Sequence, residues 1–96
     1  MSTKKEKDFA YYREKYGEQH YMFTFEWKAG DDRHIANIPA NSVKEAFPRV
    51  LVLLKHFRQD VNYKRLNKAK EKGLLNKLLI VKKRKLESPT IYMPPS

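Results

Sequence analysis

Tyr21-Met22-Phe23-Thr24-Phe25-Glu26-Trp27-Lys28 is the stretch on which the fold turns. Tyr21, Phe23, Phe25 and Trp27 occupy alternate positions, with Met22, Thr24, Glu26 and Lys28 between them. Successive side chains of a β-strand point to opposite faces, so this alternation predicts a strand with one aromatic face. Ala29-Gly30-Asp31-Asp32 follows with turn chemistry, and Arg33 to Ile38 pairs back, which predicts a β-hairpin over residues 21–38. Pro39, which has no N–H to give a ladder, closes the second strand.

Ser42-Val43-Lys44-Glu45 has the form of a capping box, with Asn41 as the other candidate cap. Val43, Ala46, Phe47, Val50, Leu51, Leu54 and Phe57 then recur at helical spacing and predict one long core helix over 43–58. Pro48 falls in its second turn, where it either bends the helix or begins it. On the N-terminal side of the hairpin, Phe9, Tyr12 and Tyr16 predict a short helix over 5–16, ended by Gly17 at the position that favours glycine.

Beyond Phe57 the chain turns polar and basic. Tyr63 to Lys72 holds good helix formers anchored by Leu66 and Ala69 and ended by Gly73; it continues the core helix or forms a separate short one. Leu78 to Val81 is a compact apolar run leading into Lys82-Lys83-Arg84-Lys85, which predicts a third strand over 77–85. Residues 88–96 read as an extended Pro-rich tail. The economical fold is therefore α+β: a small antiparallel three-stranded sheet, hairpin 21–38 plus strand 77–85, packed by one helix 43–58. Residues 1–87 form a single small basic domain, and 88–96 its tail; a chain of 96 residues is long enough for one modest core.

Charge is distributed unevenly. The formal net charge is +10, and residues 61–96 carry ten of the 21 basic groups but only two of the 11 acidic ones. Such asymmetry is an electrostatic footprint for phosphates or anionic lipid. Between Lys55 and Lys85 only Asp60 and Glu71 oppose the cations, and Lys64, Lys68 and Lys72 repeat every four residues. On a helix those three stack and repel one another, an arrangement that a polyanionic partner would relieve. The candidate nucleic-acid-binding residues are Lys64, Arg65, Lys68, Lys70, Lys72, Lys77, Lys82, Lys83, Arg84 and Lys85, with Tyr63 placed to stack on a base or sugar. The bland counterpart is an ordinary solvated lysine-rich face.

Other motifs carry less. The aromatic stripe could serve as a base-stacking platform, but the helix must bury its own stripe against something, and this is the richest apolar face available. Trp27 and Tyr21, at the strand ends, are then the ones expected to be partly exposed. Glu26-Trp27-Lys28 has the E-x-K spacing of a metal-dependent nuclease strand, yet it lacks a second acidic ligand from another strand. Lys82-Lys83-Arg84-Lys85 has the composition of a nuclear-import string and, equally, of a charged strand end that deters aggregation. Lys68-Ala69-Lys70-Glu71-Lys72 is similar to the lysine-rich helix start of double-stranded-RNA-binding domains; that fold has three strands before the helix, where two are legible here, and no family is assigned. His20, His34 and His56 lack metal spacing, and no Gly-rich phosphate loop or nucleophile elbow is present.

No cysteine is present, so disulfides and thiolate zinc sites are excluded. The N-terminus carries charge in place of an apolar signal region, and the longest apolar run, Val50 to Leu54, is too short to span a membrane. The expectation is a non-catalytic protein, with no cofactor or metal, that binds nucleic acid, DNA or RNA, through its basic C-terminal third. It would be cytoplasmic or virion-associated and not secreted. The rival expectations are a structural component of a virion or ribonucleoprotein, docking a protein partner through the C-terminal tail, or a small inhibitor of another protein.

Overall fold

A computed structural model describes residues 9–95. In chain order the elements are α1 (Phe9–Tyr16), β1 (Glu18–Ala29), β2 (Asp32–Ala40), α2 (Val43–His56), α3 (Asp60–Glu71), α4 (Leu75–Leu78) and β3 (Ile80–Ile91). The first four residues of the helix expected over 5–16 lie outside the described residues. Its end is as expected: Gly17 adopts φ 73° and its N–H bonds the Arg13 carbonyl at 2.8 Å.

The three strands form one antiparallel sheet in the order β2-β1-β3, so the aromatic strand is central. It is longer than the alternation alone indicates. Ala29 pairs with Asp32, which leaves Gly30 and Asp31 as a two-residue loop, and Gly30 takes φ 69° at the position where a II′ turn needs glycine. Pro39 does not close β2. It sits within the strand opposite Met22, an arrangement open to it because β2 is an edge strand. One residue past the end of β2, the Asn41 side chain continues the pairing that the backbone ends: its Oδ1 accepts from the His20 N–H (2.8 Å) and its Nδ2 donates to the Glu18 carbonyl (3.1 Å).

The aromatic face of β1 is the floor of the core. Phe23, Phe25 and Trp27 are buried with Ala36 and Ile38 of β2, Ala46, Phe47, Val50 and Leu54 of α2, and Leu66 of α3. Burying each large side chain is worth ~1.5–3 kcal/mol. Tyr21 is half-buried, as expected, but Trp27 is only 3% exposed, against the expectation. The reason is α3, which covers that end of the strand; the Trp27 Nε1–H reaches the buried Asn62 Oδ1 at 3.4 Å, and the Asn62 amide donates to Gln59 Oε1.

α2 covers Val43–His56 of the expected 43–58, and the polar segment after it forms a separate helix, α3, which shares the sheet. Ser42 caps α2 by accepting from the Glu45 N–H at 3.2 Å, while Glu45 returns to the Asn41 N–H and not to Ser42 itself. α2 runs through Pro48; the backbone bond that proline cannot donate would have gone to Lys44, and both positions face solvent. The helix ends at His56. Arg58 takes φ 57°, and the Gln59 N–H bonds back to the Leu54 carbonyl at 2.8 Å, closing the end in the manner that usually recruits glycine. Phe57, expected on the core stripe, is 62% exposed, and Val43 is exposed as well. Gly73 ends α3 with φ 70° and a Leu74 N–H to Ala69 carbonyl bond of 2.8 Å.

The third strand also differs from the expected 77–85. Residues 77 and 78 belong to α4, the strand begins at Ile80, and it continues to Ile91 through the first part of the expected tail. Ile80 to Lys85 pair with Glu26 to Tyr21; the ladder then breaks and resumes with Thr90 and Ile91 opposite Gln19 and Glu18. Ile91 and Tyr92 are buried, so two apolar residues expected to be free for a partner belong to the fold.

What holds that end is Arg49. Its guanidinium donates to Gln19 Oε1 (3.0 Å) and to the Pro39 carbonyl (2.8 Å), and it lies 4.2 Å from the Tyr92 ring centroid and 5.2 Å from that of Tyr16. The fully buried Gln19 completes the group by donating Nε2 to the Tyr16 and Gly17 carbonyls. One arginine thus ties together α1, β1, β2, α2 and the chain beyond β3.

Candidate nucleic-acid interface

The ten candidate cations are all exposed, and none forms an ion pair with a described residue; the single ion pair among the described residues joins Arg33 Nε to Glu26 Oε2 at 2.6 Å. The fold does not gather them on one face. It distributes them over three.

The first group comes from α3 and α4. Leu66 and Asn62 set the buried side of α3, and a turn of 100° per residue places Arg65, Lys68 and Lys72 along one flank. The tight end at Gly73 folds the chain back, so that Lys77 of α4 meets that flank. Arg65, Lys68, Lys72 and Lys77 surround a pit of about 380 Å³ whose apolar lining is Ala69, Leu74 and Leu78. A second hollow adjoins it, shared by Arg65, Lys77 and Lys28 from the end of β1, with Glu26 at its far side. Lys28, noted in the sequence for the E-x-K tripeptide, was not among the candidate nucleic-acid-binding residues. Its neighbours come from segments more than thirty residues away, and only the sheet register and the α3–α4 turn bring them together.

The second group faces the other way. Lys70 lies on the opposite flank of α3, with its Nζ 5.5 Å from the Phe47 ring centroid, and lines a groove with Lys44 of α2. Lys83 and Lys85 pair with Phe23 and Tyr21 and so stand on the same side of the sheet as the helices; the Lys83 Nζ is 4.6 Å from the Tyr21 ring centroid. Alternation sends Lys82 and Arg84 to the uncovered face of the sheet, opposite Thr24 and Met22. Lys64 projects from the outer side of α3 and lines none of these hollows. Tyr63 is half-buried against the core.

The aromatic stripe lies beneath α2 and α3, so no base can stack on Phe23, Phe25 or Trp27 in this structure. Glu26 of the E-x-K tripeptide is engaged by Arg33, and among the described residues no three His, Cys, Asp or Glu side chains cluster to hold a metal ion. No helix among the described residues is long and apolar enough to cross a membrane.

Chemically, a pit ringed by four cations with no acidic residue in its lining can attract and hold phosphates. Arginine adds a planar fork that matches a phosphate with two donors, while the lysines act as point charges. No protein-family model, curated protein or solved structure matches this chain.

Proposed function

We propose that this protein binds nucleic acid through its phosphate backbone, without catalysing a reaction, and that the pit on α3 and α4 is the centre of the interface. Arg65, Lys68, Lys72 and Lys77 contact successive phosphates, and Lys28 extends the track toward the hairpin. The observation that carries the reading is that these cations line two adjoining shallow hollows without an ion pair to any described residue. Like charges held this close raise the energy of the free protein, and a phosphate chain relieves that repulsion while releasing its own counterions. Nothing in the pit is arranged to read base edges, so shape and charge dominate and DNA and RNA are both admissible ligands.

The test is a titration of the full chain with labelled single-stranded DNA, duplex DNA and RNA at low and moderate salt, followed by anisotropy. Binding that weakens steeply with salt, and weakens again when Arg65, Lys68, Lys72 and Lys77 are changed to Gln, supports the reading. Absence of binding to all three at low salt removes it. For the rival reading of a tail that docks on a partner protein, Ile91 and Tyr92 are buried and Met93 is exposed, so any such contact would use the chain from Met93 onward.

A further inference from the structure

The strand order leaves β2 and β3 as the two edges of the sheet. An open edge presents alternating N–H and C=O groups and is a template for another strand. β2 carries Pro39 within its length, which interrupts that template. β3 has no such interruption between Ile80 and Lys85; its proline, Pro89, lies beyond, where the ladder to β1 is already broken.

Beside this edge runs the groove between α2 and β3, of about 410 Å³, lined by Phe25, Val43, Phe47, Pro48, Leu79 and Val81. Lys44 and Lys70 complete its lining, and no acidic side chain contributes. Lys83 and Lys85 stand on the same side of the sheet by register. Val81, on the floor, is 41% exposed. A backbone edge that pairs with no other described strand, an apolar slot and four lysines therefore occur together, on a surface separate from the pit.

The charges choose the occupant. A second copy of the chain pairing edge to edge would set Lys82-Lys83-Arg84-Lys85 against the same four cations, and like charges across a strand pair are destabilising. An acidic strand meets the opposite condition. We infer that β3 binds an extended acidic peptide by strand addition along Ile80 to Lys85. A bulky apolar residue of the peptide enters the groove beside Val81. Carboxylates on either side of it meet Lys83, Lys85, Lys44 and Lys70 on the helix side, and Lys82 and Arg84 on the uncovered side. Backbone hydrogen bonds supply the extended register, and the alternating pockets supply the preference.

The probe is an end-blocked, fluorescein-labelled peptide Glu-Glu-Glu-Ile-Glu-Glu-Glu, titrated against the full chain. Three results are expected together. N-methylation of alternate peptide nitrogens weakens binding by tenfold or more, because it removes the donors to the edge. Lys83→Gln with Lys85→Gln does the same, while the four-fold Gln variant of the pit leaves peptide affinity within about twofold. In hydrogen exchange, every second amide of Ile80 to Lys85 slows when peptide is present. Equal affinity for the N-methylated peptide overturns the inference, since charge alone would then explain binding. It is overturned equally if those amides slow with rising protein concentration in the absence of peptide, which would make a second copy the occupant. A third contrary result is that Lys83→Gln with Lys85→Gln weakens an oligonucleotide as strongly as the peptide, with no amide slowed, which would make the surface a second phosphate track.

Discussion

Arg49 and Arg65 lie toward opposite ends of β1 and are treated in opposite ways. Arg49 gives hydrogen bonds to Gln19 and to the Pro39 carbonyl and lies over Tyr16 and Tyr92. Arg65 is exposed and faces Lys68, Lys72 and Lys77 across a pit with no acidic neighbour. Both are arginines in a strongly basic chain, and residue type does not distinguish them. The difference is whether the donors are occupied. A cation whose donors are occupied within the fold holds the fold together. A cation whose donors are left to solvent, crowded against others of its sign, is available to a partner and slightly disfavours the folded state.

That contrast predicts a reciprocal pattern of substitution effects. The largest belongs to Arg49→Ala, which removes both hydrogen bonds and leaves the buried Gln19 oxygen without a donor. The expected loss is about 3 kcal/mol, read as a fall in Tm of roughly 12 °C or more, with nucleic-acid contacts at the far end unchanged in the variant that remains folded. Arg49→Lys keeps the charge but not the fork, and should recover only part of the loss. If Arg49→Ala melts with the parent protein, the distinction between the two ends is lost.

The second effect is on binding and not on stability. Changing Arg65, Lys68, Lys72 and Lys77 together to Gln should reduce the slope of log affinity against log salt by roughly 3 to 4, about 0.9 per phosphate contact. Tm should stay level or rise, because repulsion is removed. A Tm that falls as far as it does for Arg49→Ala would mean that these residues hold the fold.

Smaller effects sharpen the boundary between the regions. Ser42→Ala removes the cap of α2 and should cost about 1 kcal/mol in denaturant titration, with no change in salt dependence. The smallest concerns Tyr92. Burial raises its phenol pKa above 10.0, with the Arg49 charge opposing and the Tyr16 and Tyr12 phenols adding to the rise. A pKa raised by folding means that the neutral form is the one the fold prefers. Its contribution is complete below the unfolded pKa and is lost as pH rises through the folded value. Stability should therefore decline above about pH 10. Tyr92→Phe should flatten that decline, as followed by circular dichroism against pH.

The legible and illegible parts of this fold separate on physical lines. The central strand, the hairpin, the α2 cap and the glycine ends at Gly17 and Gly73 were all readable, because each is decided by residues within a few positions of one another. The break between α2 and α3 was only one of two readings open in the sequence. It is made at Arg58, a non-glycine residue in a left-handed conformation at a cost of roughly 1–2 kcal/mol, where composition gives no signal. The start of β3 was misplaced because Leu78 and Leu79 suit a helix end and a strand equally. The apolar content of Ile91 and Tyr92 was visible, but the group that lies over the Tyr92 ring is Arg49, and a single arginine in a helix does not announce such a contact. In the interface, charge excess in the last third was evident from counting. Its division over three surfaces depends on helix phase and strand register, and the inclusion of Lys28 depends on both.

The register of β1 has a consequence for the order in which the molecule assembles. Its pairing with β2 begins between Ala29 and Asp32, three positions apart, whereas its pairing with β3 begins between Glu26 and Ile80. Closing the second contact must confine a far longer loop, and it brings Lys83 and Lys85 to the side of the sheet that carries the helices. The hairpin with α2 forms early on this account, and β3 docks last and departs first. In native-state hydrogen exchange, the amides by which Ile80 to Lys85 bond β1 should open at lower free energy than those joining Phe23 and Phe25 to β2, and the acidic peptide should slow the former more than the latter. The strand richest in charge would then also be the part of the sheet whose time in place is set by what the protein has bound.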